Sequence, residues 1–141
     1  MPTVSESAPL ALHSPPDDVD TVQDYIQRVW SESPELDSMD KLKFETALVE
    51  LAANIIKHSN DGGGVEGSLS ITIHPDRIRC DITDTSEASN IALDTRQMPG
   101  EFAESGRGIA FIQRLVDVLH YERRGGENLW MIEKLRERHG A

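Results

Sequence analysis

Two short segments of this chain carry residue types that could do chemistry on a phosphate. In Glu50-Leu-Ala-Ala-Asn54, with His58 four residues further on, a carboxylate, a carboxamide and an imidazole recur at a spacing that puts them in one row on a helix. A carboxylate can accept a proton, and a carboxamide oxygen can ligate a hard cation. Later in the chain, Gly106-Arg107-Gly108 stands before Ile109, Ile112, Leu115 and Val116. That pattern predicts a glycine turn feeding a helix from about Arg107 to Val116, whose free amides would attract phosphate. Together the segments predict a site for magnesium and nucleotide phosphate. Arg107 between its glycines can meet phosphate or point to solvent. His58 reads as a helix-end cap, since no His or Cys companion shares its neighbourhood at metal-binding spacing.

The elements that must position these residues follow from hydrophobic period. Phe44, Leu48, Leu51 and Ile55 form a helical stripe, widened by Leu42, Val49, Ala52 and Ile56. The Glu50, Asn54, His58 row lies beside that stripe and is not expected to be buried against a neighbour. Asp37 or Ser38 can cap this helix, and Asn60-Asp61-Gly62-Gly63-Gly64 ends it after about His58. An earlier helix over Asp17–Trp30 is predicted from Val19, Val22, Ile26, Val29 and Trp30, with acidic residues at its positive end. Leu69, Ile71 and Ile73, then Ile78, Cys80 and Ile82, alternate as two antiparallel strands about a turn at His74–Arg77. Val118–Arg123 and Asn128–Leu135 read as a second hairpin joined at Gly125-Gly126. Between Thr83 and Ser105 periodicity is lost, and the stretch from about Ser86 to Ser105 reads as a mobile lid. These elements predict an α+β sandwich.

At 141 residues the chain can bury one core. The expected division is an N-terminal arm over 1–16, flexible or an edge strand around Leu10 and Leu12, and one domain over 17–141. The net charge of -11 repels a nucleic-acid backbone, so no direct nucleic-acid binding is expected. The last third is the more basic part, and a magnesium ion would screen a nucleotide's charge there. Cys80 is the one cysteine and its strand phase predicts a core thiol. With no apolar run approaching a membrane span, of about 20 residues, and no basic cluster ahead of an apolar stretch, no membrane partner and a cytoplasmic location are expected.

The order of helix with E-x-x-x-N, hairpin ending in aspartate, loop, glycine turn with helix, and closing hairpin resembles the GHKL ATPase fold. More narrowly, it resembles the bacterial anti-sigma factor serine/threonine kinases. "ETALVELAANIIKHS" is similar to that family's N-box, and "ESGRGIAFIQRLVDVLHYER" to its second glycine box and the following strand. The resemblance covers roughly residues 17 to 136. It implies a two-layer sandwich of the GHKL (Bergerat) type, with a mixed, mostly antiparallel sheet covered by about three helices.

The resemblance further implies ATP as phosphoryl donor with Mg2+. Asn54 would be the magnesium ligand, Glu50 the catalytic base, Asp84 the acceptor for the exocyclic amine of adenine, and Gly106, Arg107 and Gly108 part of the phosphate site. Its implied partners are a STAS-type anti-sigma antagonist, a sigma factor and a second copy of the chain in a homodimer. One departure stands out: the family has glycine two residues after the aspartate, where this chain has Ser86. That motivates an alternative expectation, a protein-binding module of the same fold that binds nucleotide weakly or not at all. A histidine-kinase role is disfavoured because His13 sits in a proline-rich arm rather than on a helix pair.

Overall fold

The apolar stripe of the second predicted helix organises the molecule. The computed structural model describes residues 4–14, 16–59, 64–85 and 102–137, with the side chains of 58, 59 and 102–107 outside that description. In chain order the elements are β1 (Ser5–Glu6), β2 (Leu10–Ser14), α1 (Val19–Ser31), α2 (Ser38–Ser59), β3 (Val65–Ile73), β4 (Arg77–Asp84), α3 (Phe102–Leu115), β5 (Val118–Arg124) and β6 (Glu127–Leu135). Phe44, Leu48 and Leu51 of α2 are fully buried and share one core with Val22 and Ile26 of α1 and Ile109 and Ile112 of α3.

The sheet side of that core comes from alternate strand positions: Leu69, Ile71 and Ile73 of β3, Ile78, Cys80 and Ile82 of β4, and Trp130 and Ile132 of β6. The intervening positions form a polar face. There Arg77 Nε donates to Glu133 Oε2 at 2.8 Å and Arg79 grips Asp81 at 2.9 Å. The strand order is β1-β3-β4-β6-β5, with β2 also on β3. Every pairing among the described residues is antiparallel. The architecture is therefore the expected α+β sandwich, with three helices on a six-stranded sheet among those residues.

Local chemistry explains the boundaries. Asp18 caps α1 in a capping box with Thr21. Of the two candidate caps for α2, Asp37 is the one used: its Oδ2 accepts from the amides of Met39 at 3.0 Å and Asp40 at 3.1 Å. The β5–β6 turn closes through Gly125 (φ 59°) and Gly126 (φ 83°), the left-handed pair that a two-residue hairpin loop requires. Leu10 and Leu12 lie in β2, which pairs with β3. Tyr25 Oη donates to the Ala8 carbonyl at 2.9 Å and accepts from the Ile71 amide at 3.3 Å, tying α1 to the segment ahead of β2 and to β3.

The third helix departs from expectation. It begins at Phe102 rather than near Arg107, so Gly106 and Gly108 lie inside it instead of in a turn ahead of it. Two interior glycines cost about 1 kcal/mol each in helix propensity. Burial of Ile109 and Ile112 against the core outweighs that local preference. The segment read as a lid lies outside the described residues except for its last few positions, which are helical. No helix among the described residues is long and apolar enough to cross a membrane.

Candidate functional site

Glu50 and Asn54 stand one turn apart on α2, and α3 meets them at Gly108. A β-carbon at Gly108 would lie 3.0 Å from Asn54 Nδ2 and 3.1 Å from Glu50 Oε1. Glycine is what lets the helix backbone come this close to both polar groups. The expectation that the polar row has no neighbour is thereby corrected. Its two first members are only partly exposed, and they face a second helix because the ridge of α2 next to its apolar stripe is covered by α3. Asn54 Nδ2 is itself buried without a hydrogen-bond partner among the described residues.

The glycine segment sits differently from its predicted form. Orphan amides occupy the first four positions of a helix, and with α3 starting at Phe102 these lie ahead of Gly106. Gly108 thus contributes close approach, and neither glycine belongs to a ring of free N–H groups at the helix start. The side chains of Arg107 and His58 lie outside the described residues, as does Ser86.

Asp84 ends β4 and is 1% exposed. Its Oδ1 accepts from Asn128 Nδ2 at 3.0 Å. Asn128, also 1% exposed, pairs with Asp84 in the β4–β6 register. The Asn128 Oδ1 in turn accepts from Tyr121 Oη at 2.6 Å and Arg123 Nη1 at 3.1 Å, both on β5. Tyr121 packs its ring on Trp130, with centroids 4.5 Å apart. On the other side of β4, Gly67 of β3 pairs with Asp84, and a β-carbon there would collide with the Thr83 carbonyl oxygen. Thr85 fixes the strand end, its amide donating to the Glu66 carbonyl at 2.9 Å.

Asn128, Tyr121 and Gly67 were not singled out in the sequence, although each left a trace. Asn128 falls in the buried phase of β6, alternating with Trp130 and Ile132, where an amide needs partners. Gly67 interrupts a β-branched and polar strand, the mark of close backbone approach.

Electrostatically the site is built from few charges. At the helix junction Glu50 contributes a carboxylate and Asn54 a carboxamide, and among the described residues no group of three or more His, Cys, Asp and Glu could hold a metal ion. Cys80 takes no part: burial, with the Asp81 carboxylate adding to it, pushes its thiol well above the ordinary value.

No curated protein matches the chain. The histidine kinase-like ATPase domain profile, by contrast, matches residues 12–133, a span that contains α1, α2, the β3–β4 hairpin, α3, both β5 and Asn128, and with them every residue of the two polar groupings above. A match over most of the chain, with the α+β sandwich and an Asn54–Gly108 junction between its helices, means that this chain belongs to the histidine kinase-like ATPase domain family.

Proposed function

We propose that this domain is an ATP-dependent protein serine/threonine kinase and anti-sigma regulator, acting in the cytoplasm on a STAS-type antagonist in a partner-switching circuit. The observation that carries the phosphoryl-transfer reading is the meeting of Glu50, Asn54 and Gly108 across two helices. Family membership implies ATP and Mg2+ in general. The residues present offer that cation oxygen ligands in the Asn54 carboxamide and the Glu50 carboxylate, while the Asn54 Nδ2, without a partner among the described residues, is a donor suited to a phosphate oxygen. When bound, magnesium neutralises phosphate charge and holds the phosphates to the protein.

The chain's own groups divide the remaining work. Asn54 offers its carboxamide oxygen to the cation and its N–H2 to a phosphate oxygen. Gly108 lets α3 close on that carboxamide with no side chain between them. Glu50 accepts the proton of the attacking hydroxyl, so that oxygen forms the new bond to phosphorus while ADP leaves. Asp84, fixed by Asn128, accepts a hydrogen bond from the adenine amine. Arg107 completes the charge on the phosphate side. The sigma factor and a homodimer are the further partners that the resemblance to anti-sigma kinases supplies.

One observation favours a second reading, a partner-binding module that transfers no phosphate. The helix runs through Gly106 and Gly108, which leaves their amides in the helical ladder rather than free for phosphate. Incubation with γ-labelled ATP, magnesium and the STAS protein that the domain binds separates the two. Label on a serine or threonine of that protein supports the kinase. A stable complex with no label transferred supports the binding module, and acid-labile label on histidine rejects both.

A further inference from the structure

The carboxamide of Asn128 is held in one orientation by chemistry that permits no flip. Arg123 has only donors, so the atom of Asn128 that faces Arg123 Nη1 at 3.1 Å must be the oxygen, and Tyr121 Oη at 2.6 Å donates to the same oxygen. The amide nitrogen therefore points at Asp84 Oδ1, 3.0 Å away, in a buried setting where an inverted polarity would be costly. This orientation decides which way round the group at 84 must sit.

We infer that Asn128 is a positioning residue for base selection: with Tyr121 and Arg123 it imposes an acceptor-only face on residue 84, and so selects a 6-amino purine over a 6-keto purine. The inference rests on the reading of Asp84 as the group that meets the base. It adds that the choice between the two bases is written in β5 and β6, on strands rather than on the helices that hold the phosphate side. A carboxylate at 84 receives the Asn128 N–H on one oxygen and presents an acceptor with the other. A carboxamide at 84 facing the same N–H would have to turn its oxygen to Asn128 and its N–H2 to the ligand, which suits a keto group. If residue 128 were itself a carboxylate, it would still accept from Tyr121 and Arg123. It would also draw the N–H2 of a carboxamide at 84 towards itself, returning that carboxamide's oxygen to the ligand.

The test is the ratio of ADP to IDP affinity, measured by calorimetry with magnesium on the full chain, since the two bases differ at the 6-position by amine against ketone. The wild type should favour ADP by about tenfold or more. Asp84→Asn should lower that ratio by at least about tenfold, and the double variant Asp84→Asn with Asn128→Asp should restore the preference for ADP. A structural role alone would not make a second substitution recover selectivity. If Asp84→Asn lowers the ratio and the folded double variant fails to recover it, the role of Asn128 is overturned while the base reading of Asp84 stands. If Asp84→Asn leaves the ratio unchanged, or the wild type binds neither nucleotide, the base reading fails and takes the inference with it. Should the double variant not fold, Tyr121→Phe with Arg123→Ala decides. Removing both donors frees the Asn128 amide to turn, so the ratio should fall by about threefold or more, and an unchanged ratio overturns the inference.

Discussion

The carboxamide of Asn54 lies against the bare Cα of Gly108, with 3.0 Å between its Nδ2 and the place a β-carbon would take. Two local preferences oppose each other at that point. Helix propensity favours alanine over glycine at an interior helical position by about 1 kcal/mol. The contact with Asn54 and Glu50 favours glycine, because a methyl group would push both side chains aside. Gly108→Ala should therefore leave the urea midpoint within about 1 kcal/mol of wild type while weakening binding of ADP with magnesium by about tenfold. Calorimetry and urea titration on the same sample check this; equal loss of stability and binding would make Gly108 a packing residue only.

Glu50 touches the same junction, and in the proposed mechanism it takes a proton rather than holding nucleotide. Replacing it with glutamine keeps its volume and removes its capacity to take a proton. Phosphoryl transfer to the partner should fall by about 10²- to 10⁴-fold, the range for loss of a positioned general base. ADP affinity should change by less than about threefold. A Glu50→Gln protein that still transfers label at the wild-type rate would remove Glu50 from the chemistry.

Gly67 sits opposite Asp84 in the β3–β4 ladder, and its missing β-carbon is what lets the Thr83 carbonyl approach. The obstruction is backbone, which cannot swing away as a side chain can. Gly67→Ala should cost about 1–3 kcal/mol, as overpacking does, and should shift the backbone at Asp84. The amide resonances of Thr83, Asp84 and Asn128 should move most in a heteronuclear NMR spectrum. If changes are spread evenly over the sheet instead, Gly67 has no particular bearing on Asp84.

Where period and turn chemistry act locally, the sequence was readable. The stripe from Phe44 to Ile55, the two alternating hairpins and the Gly125-Gly126 turn appear as predicted, because each is decided by residues a few positions apart. The start of α3 was not readable: glycine signals a break locally, and only the burial of Ile109 and Ile112 against distant strands overrules it. Glu50, Asn54 and the Gly106–Gly108 segment were singled out and paired from the sequence, but as a row facing a glycine turn with free amides; that Gly108 makes the contact from within a helix is visible only in three dimensions. Asn128 and Tyr121 escaped notice for the same reason. Their partners Asp84 and Trp130 are adjacent by strand register rather than along the chain.

Asp40 shows how a first-turn acid can be something else. It stands where a helix-dipole acid is ordinary, but it is 2% exposed. Its Oδ2 accepts from the Glu137 amide at 2.7 Å, and Lys134 Nζ lies 3.7 Å from its Oδ1. Lys134 is equally placed toward Asp117 at 3.7 Å. Asp40→Ala leaves a mostly buried ammonium with only Asp117 at 3.7 Å as a carboxylate partner beside the Leu135 carbonyl at 2.8 Å, and takes the acceptor from the Glu137 amide. The expected loss is about 3 kcal/mol in a urea titration. Lys134→Met should cost less, since apolar replacement removes the charge together with its need for a partner. If both variants unfold at the wild-type midpoint, the C-terminal strand is not pinned through this cluster.

Cys80 gives the fold a dependence on alkaline pH. Burial pushes its thiol well above the ordinary value of 9.0, the Asp81 carboxylate adds to that, and a backbone hydrogen bond from Ser70 opposes it. Since the folded value lies above the unfolded one, the folded state holds the proton more tightly. The stabilisation is complete below about pH 9 and is lost as pH rises beyond it, because the unfolded thiol ionises first. Tyr25, raised from 10.0 chiefly by burial, adds a loss of the same sign at higher pH. Cys80→Ala removes only the first of these, at a cost of about 1 kcal/mol for the small cavity at neutral pH. Urea titrations between pH 8 and pH 10, values chosen to bracket roughly the thiol range, should show wild-type stability falling while Cys80→Ala stays flatter. Parallel curves for the two proteins would mean that the buried thiol does not govern the alkaline limb.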